Sequence, residues 1–535
     1  MTDARPFGTI NTPMLRGRAL AICACLALAL ASAPWPAQAA APKVPSTNVA
    51  WVPAAVDADV DRAFAQARAQ GRPVLLYWGA TWCPPCNQLK ATLFNRQDFA
   101  QQSKAFVAVH VDGDRPGAQK LGARFSVRGY PTIILFNPQG DEITRLPGEA
   151  DAEQVMSVLR AGLAGGRPIK QVLADAREGK MLSPNEWRML AFYSWDTDED
   201  RLVRASDRAS TLAELATKCP AAEDETATRL WLKAMAASDD GKGIKPDDAM
   251  RARVVRVLAD PAQSRVHMDV LGNWGAEILR LLTPEDSPQR EAMARQFDAA
   301  LSRLEADTTL SRGDRLSALI ARIGVARADQ AKEARQPKLP AALVQTAKDT
   351  AAKLDREVTD GYERQAVITS AAYMLGQAGL WDESDALLKG NLARSHSPYY
   401  LMSQLGSNAR KLGRTDEALR WYQQAFERSE GPATRLQWGS GYVSALIELA
   451  PADEKRIEGA VAQLFDEAGQ DKAAFHERSA RSLQRIGAKL AAWNKDGQHA
   501  AAMKRLQGRL AGTCAKVPKD DGQRATCEGL LKAKA

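Results

Sequence analysis

Histidine is scarce in this 535-residue chain, at five, and cysteine is sparse, at seven. A zinc site needs four ligands, usually two close Cys pairs or one pair with two nearby histidines. Beyond residue 40 the one close pair is Cys83 and Cys86. Cys219, Cys514 and Cys527 lie far from it and the histidines are scattered. No metal site is therefore expected, and the residues call for no cofactor. Blocks of one charge are also missing. The 72 Lys and Arg are interleaved with 64 Asp and Glu, and Arg5, Arg16 and Arg18 against Asp3 supply +2 of the formal +8. Without a basic run or a basic–aromatic pattern, nucleic acid is not an expected partner, while a weak preference for acidic or membrane surfaces stays open. Past residue 40 no apolar run approaches the ~20 residues that cross a bilayer.

The first 40 residues read as a secretory signal. Arg16 and Arg18 precede an apolar run at 19–31, and Ala37-Gln38-Ala39 offers a small-x-small cleavage site, with cleavage after Ala39 or Ala40. The run is too short to span a membrane or to favour lipidation at Cys23 or Cys25. Residues 41–50 read as a linker. The mature protein is expected to be periplasmic or otherwise extracytoplasmic, where disulfides persist. A structural bridge between Cys514 and Cys527 is favoured because a short loop closes easily. A bridge from Cys219 to either of them is the competing pattern.

Chemistry concentrates at Trp82-Cys83-Pro84-Pro85-Cys86. An apolar run at 73–78 predicts a buried strand, and residues 87–94 carry apolar side chains at helical spacing, so the cysteines fall at a strand-to-helix junction. A helix start offers unpaired N–H groups and the positive end of its dipole, which stabilise a thiolate on Cys83. The two prolines fix φ and suit a first helical turn. One turn of helix brings Cys86 close enough to Cys83 for a reversible disulfide. Further on, Gly129-Tyr130-Pro131-Thr132 opens a second apolar strand at 133–136.

Together these motifs resemble the thioredoxin superfamily, in the style of exported members such as the thiol–disulfide domain of the transmembrane reductant conductor family. The order of elements over 51–165 matches. There is a strand, W-C-x-x-C, a helix, a strand at 105–112, a helix near 118–125, the G-Y-P-T motif, a hairpin across 137–141 and a last helix at 151–162. The resemblance implies an α/β thioredoxin-like domain with a mixed sheet flanked by helices. It implies Cys83 and Cys86 as the catalytic, redox-active pair, and a cis Pro131 that lays the Tyr130 backbone beside them. Trp82, Tyr130 and Pro131 then bind substrate. Protein thiols and disulfides are the implied substrates, with room for a membrane-bound electron donor. Departures from the family pattern leave the reduction potential and the direction of electron flow open. Tyr77 stands where many members carry a buried carboxylate, and Asn87 replaces the lysine after the second cysteine. His110 is the one titratable side chain within the strand at 106–111, and both a structural and a proton-relay role stay open.

From residue 166 to 535 strand signals vanish and apolar residues recur at three and four. Ser183-Pro184-Asn185-Glu186 predicts a capping box opening a helix through Phe192. Further helices are expected near 223–237, 249–259, 267–282, 289–304, 314–325 and 341–354. Gly379-Leu380-Trp381-Asp382-Glu383 and Gly413-Arg414-Thr415-Asp416-Glu417 repeat the same frame, as do Pro398 and Pro432. Leu405, Gly406, Ala418, Tyr422 and Ala425 fall where tetratricopeptide repeats place their packing residues, so a large all-α, tetratricopeptide-like solenoid is expected, clearest at about 365–432. Such a solenoid has a concave face for protein partners. Two functions follow. One is an exported thiol–disulfide oxidoreductase that reduces protein disulfides while the helical region binds clients. The other is a periplasmic helical-repeat scaffold or chaperone whose thioredoxin-like domain serves for docking or redox sensing.

Overall fold

The computed structural model describes residues 49–532 except 147, 149, 150, 199 and 239–242. The expected signal at 1–40 and residues 41–48 of the expected linker lie outside the described residues. The first part of the chain runs β1 (Val52–Ala54), α1 (Asp57–Gln70), β2 (Val74–Gly79), α2 (Pro84–Leu89), α3 (Gln97–Gln102), β3 (Val107–Asp112), α4 (Ala118–Phe125), β4 (Thr132–Phe136), β5 (Glu142–Leu146) and α5 (Ala152–Leu163). The strands form one sheet in the order β1-β3-β2-β4-β5, parallel on the β1 and β2 sides of β3 and antiparallel from β2 to β5. This is the mixed sheet that the sequence predicts.

All six residues of β2 are buried, which marks a central strand covered on both faces. Alternation divides them. Val74, Leu76 and Trp78 pack with Val60, Phe64, Ala67 and Leu121 of α1 and α4. Leu75 and Tyr77 face Leu89, Leu93, Phe99 and Val155 on the other side. The helix predicted at 87–94 begins earlier, at Pro84, and its second half, Lys90–Phe94, is π-helical. The strand predicted from 105 starts at Val107 because Ser103–Ala105 forms a 3-10 turn.

Among the described residues no strand follows Leu146. The capping box at Ser183 opens Pro184–Phe192, and helices occupy every other predicted stretch. The repeated frame corresponds to two helical hairpins, Gly361–Gln377 with Trp381–Asn391 and Pro398–Lys411 with Thr415–Arg428. Gly379 and Gly413 take φ of +77° and +76° just past the first helix of each, which only glycine adopts without strain. Pro398 and Pro432 each occupy a first helical turn. A Cβ on Gly406 would lie 3.1 Å from the Tyr422 ring, so the small residue is what lets the two helices of the second hairpin meet.

The sheet and the helices share a core. The apolar cluster under Leu75 and Ile133 continues through Val158 and Ile169 to Trp187, Trp195 and Leu230. Polar ties reinforce it. Gln154 of α5 donates to the Val266 carbonyl at 2.7 Å, and Arg265 pairs with Asp151 at 2.7 Å. The described residues of the first and second parts of the chain form one packed body.

Two predictions concern this packing. In the helix Glu477–Trp493, a Cβ on Gly487 would collide with the Leu530 carbonyl oxygen, which belongs to backbone. Gly487→Ala should lower stability by ~1–3 kcal/mol through overpacking; an unchanged urea midpoint would contradict this contact. The second concerns pH. His110 pairs in register with Tyr77 and stacks on its ring at 5.0 Å. Burial, then the charges of Lys90 and Arg115, push its imidazole from 6.5 down to about 4. Between those values the unfolded chain holds more protons, so the stability tied to neutral His110 is complete above 6.5 and lost as pH falls toward 4. His110→Phe should therefore lose less urea resistance than the parent between about pH 7 and about pH 4.5. Parallel losses in the two proteins would show that His110 is not the group responsible.

Candidate active site

The chain leaves β2 at Gly79 and turns into α2 with Cys83 as the N-cap and Pro84 and Pro85 in the first turn. Cys83 and Cys86 are joined in a disulfide with Cα atoms 5.2 Å apart. The Cys86 N–H donates to Cys83 Sγ at 3.2 Å, so a helix-start donor points at the first sulfur. Asn87 is fully buried, and its amide nitrogen donates to the carbonyls of Thr81 at 2.8 Å and Cys83 at 2.9 Å. The residue that replaces the usual lysine thus staples the loop carrying the cysteines.

The second wall comes from the strand beside it. Trp78 pairs with Thr132, which sets the turn before β4 next to the end of β2. The Tyr130–Pro131 bond in that turn is cis. The Tyr130 ring lies over Gly113, where a Cβ would collide with the phenol oxygen. Gln119 of α4 donates to that oxygen at 2.9 Å, fixing the ring. Trp82 faces Tyr130 at 6.1 Å, and its indole N–H donates to Asp114 at 2.7 Å. The structure therefore brings Trp82, Cys83, Cys86 and Tyr130 together, with Pro131 next to Tyr130 across the cis bond. Burial pushes the Asp114 carboxyl up, against the pull of Arg478.

Tyr77, standing where a carboxylate was missed, is buried, and burial with the Asp112 charge holds its phenol neutral. Lys90 sits over the Tyr362 ring at 5.1 Å, and burial pulls its ammonium down. Half-buried His110 packs between Tyr77 and Trp51. Far from here, Cys514 and Cys527 are bridged, with Cα atoms 5.7 Å apart. Cys219 is unbridged and buried, and burial followed by Glu223 and Asp224 pushes its thiol up to about 11.

The helical region supplies the rest of the site. Cys83 is 2% exposed and Cys86 is 0% exposed. They share an apolar cluster with Tyr399 and Met402 of Pro398–Lys411, Ala425 of Thr415–Arg428 and Trp438 of Pro432–Leu449. Tyr400 stacks on Trp82 at 5.9 Å and Trp438 meets it edge-on at 5.0 Å. The Arg478 guanidinium lies 4.4 Å from the Trp82 ring centre and 4.9 Å from that of Tyr130. His396 Nε2 donates to the Thr81 carbonyl at 3.1 Å. The Arg478 N–H donates to Gln119 at 3.1 Å and Arg481 donates to the Arg128 carbonyl at 2.9 Å. Sequence reasoning missed Asp114, Gln119, Tyr399, Tyr400, Trp438 and Arg478. The aromatic residues around the repeated prolines were visible, but nothing in the chain order tells which of them faces Trp82.

Residues 60–163 match the family model described as a thioredoxin-like domain. Over 120 residues, 22% of this chain and 20% of the relative, the chain is 33% identical to thiol:disulfide interchange protein DsbD 1 of Pseudomonas aeruginosa. Over 107 residues, 19% of this chain and 18% of the relative, it is 35% identical to thiol:disulfide interchange protein DsbD of Klebsiella pneumoniae. A solved thioredoxin from Thermus thermophilus aligns with 29% identity, covering 21% of this chain and 83% of that one, at a TM-score of 0.18. The match spans about a fifth of the length of these curated relatives. The sheet, the helices around it and the bridged cysteines at the start of α2 make this segment of the chain a thioredoxin-like domain.

Proposed function

We propose that the chain is an exported thiol–disulfide oxidoreductase that reduces disulfides of client proteins. The observation that carries this is the Cys83–Cys86 bridge at the tip of α2, within the matched segment 60–163. In the reduced protein the Cys83 thiolate attacks one sulfur of a client disulfide, forming a mixed disulfide and releasing the other client sulfur as a thiolate. Cys86, deprotonated, then attacks Cys83 Sγ. That breaks the mixed disulfide, frees the second client thiolate and leaves the Cys83–Cys86 bridge. Two electrons pass to the client, and a dithiol donor restores the pair by the same steps in reverse. A membrane-bound dithiol protein fits that donor role.

Trp82, Tyr130 and Pro131 form the walls that receive the client strand. The tetratricopeptide-like hairpins at about 365–432 bind the client or partner protein, and the Cys514–Cys527 bridge clamps the last helices. The direction toward reduction follows from the likeness to exported reductant-carrying domains, and the periplasmic location from the signal-like first 40 residues. A second reading, a helical scaffold or chaperone whose thioredoxin-like unit docks or senses redox state, is favoured by one observation, the burial of both cysteines.

Two measurements test the first reading. The full chain should accelerate insulin reduction by dithiothreitol, and Cys83→Ser should abolish the acceleration; retained activity in that variant would refute the catalytic role. Cys86→Ala, which removes the resolving thiol, should accumulate mixed disulfides with clients through Cys83. Mass spectrometry that finds adducts on Cys219 but none on Cys83 would favour the scaffold.

A further inference from the structure

A sulfur that attacks a disulfide must reach the target sulfur with nothing in between. At Cys83 this chain's own helices stand in that path. We propose that the helical region is a built-in gate over the active site. The face made by Pro398–Lys411, Pro432–Leu449 and Glu477–Trp493 occupies the groove where a client strand would lie. Client and donor sulfurs reach Cys83 only when Tyr400, Trp438 and Arg478 have moved off Trp82. This deepens the oxidoreductase reading and rests on it for the use made of the exposed sulfur.

Three features carry the inference. Both walls of the groove are held, not one. Trp82 on the cysteine side is covered by Tyr400, Trp438 and Arg478, while the proline side is held by Arg478 over Tyr130 and by Arg481 on the Arg128 carbonyl. The contacts also tie down the cysteine loop itself, since His396 donates to the Thr81 carbonyl that Asn87 holds from within the loop. The third feature is that this cover is a small apolar cluster of its own. The sheet's other surfaces are locked into large continuous cores that include Leu75 with Trp187 and Val74 with Phe64. The cluster of Trp82, Tyr399, Met402 and Trp438 shares no buried residue with either and meets the second only through the half-buried Tyr130. A local opening can part this cluster and leave the cores intact.

Arg478 is the latch in this arrangement. It contacts the residue just before Cys83 and the residue just before Pro131, and its backbone N–H holds Gln119, which in turn fixes Tyr130. Removing its side chain loosens the cover at both walls without touching either sulfur.

Alkylation of the reduced full chain tests the gate independently of turnover. With excess iodoacetamide and peptide mass mapping, Cys83 should react on the order of 100-fold more slowly in the native chain than in urea, as expected for a thiol reached by local opening. Arg478→Ala and Tyr400→Leu should each raise the native rate about ten-fold, the scale of a lost contact of this kind. Cys219, buried elsewhere, reports global loosening and should keep its rate. Native Cys83 reacting as fast as in urea overturns the gate, as does an unchanged Cys83 rate in both variants. If Cys219 speeds up in parallel in Arg478→Ala, the milder Tyr400→Leu decides by the same criterion, and parallel rises in both overturn a local gate. The two ideas fail separately. A freely reactive Cys83 with insulin reduction intact removes the gate alone, and a protected Cys83 without insulin reduction removes the oxidoreductase alone.

Discussion

The indole of Trp82 is where the helices close over the active site. One edge donates to Asp114, one face takes Tyr400, another edge meets Trp438, and Arg478 lies over the ring. Only 8% of the residue stays exposed. Burying an aromatic side chain of ~150–250 Å² at ~25 cal/mol per Å² stabilises by roughly 4–6 kcal/mol as an upper figure. The cation–π contact adds about 0.5–2 kcal/mol. Apolar burial therefore dominates the closed cover, and the arginine adjusts it.

The same burial changes how the cysteine pair works. A C-x-x-C at the start of an exposed helix reacts at a rate set by its thiolate fraction and the incoming sulfur. Here a conformational step precedes any such encounter, and the population of the opened form multiplies the intrinsic rate. The continuous core beneath the other face of the sheet keeps the thioredoxin-like unit from tumbling on a tether. That core fixes its orientation to the helices as far as Ala234, so an opening at Trp82 leaves the rest of the body in place.

Much of the fold was legible because it rests on short-range signals. The apolar run at 73–78, the capping box at Ser183 and the glycines at 379 and 413 each set local geometry through neighbours a few residues away. The helix α1 went unread although Val60, Ala63, Phe64 and Ala67 sit at helical spacing, because two of these four buried positions are alanines and give only a weak apolar stripe. The three-residue strand β1 has no pattern long enough to register. The two motifs of the site were readable as motifs. The cover was not, since Trp82 and Arg478, or Thr81 and His396, are joined by packing across hundreds of residues and carry no mark of it in the chain order. The consequence of Tyr77 was half legible. The missing acid could be read, but its neutral, stacked state beside His110 needed the register of β2 on β3.

The central claim is that Cys83 and Cys86 cycle between dithiol and disulfide inside a folded chain. Equilibrating the native protein in dithiothreitol buffers of graded redox poise, quenching with acid and alkylating the unfolded chain for mass mapping tests it most directly. A gate slows the approach to equilibrium but does not move the endpoint. The account predicts a single two-electron transition at Cys83 and Cys86, complete without denaturant and with the fold retained by circular dichroism. A pair that stays bridged until the chain unfolds would be a structural clasp, and that result would contradict the account.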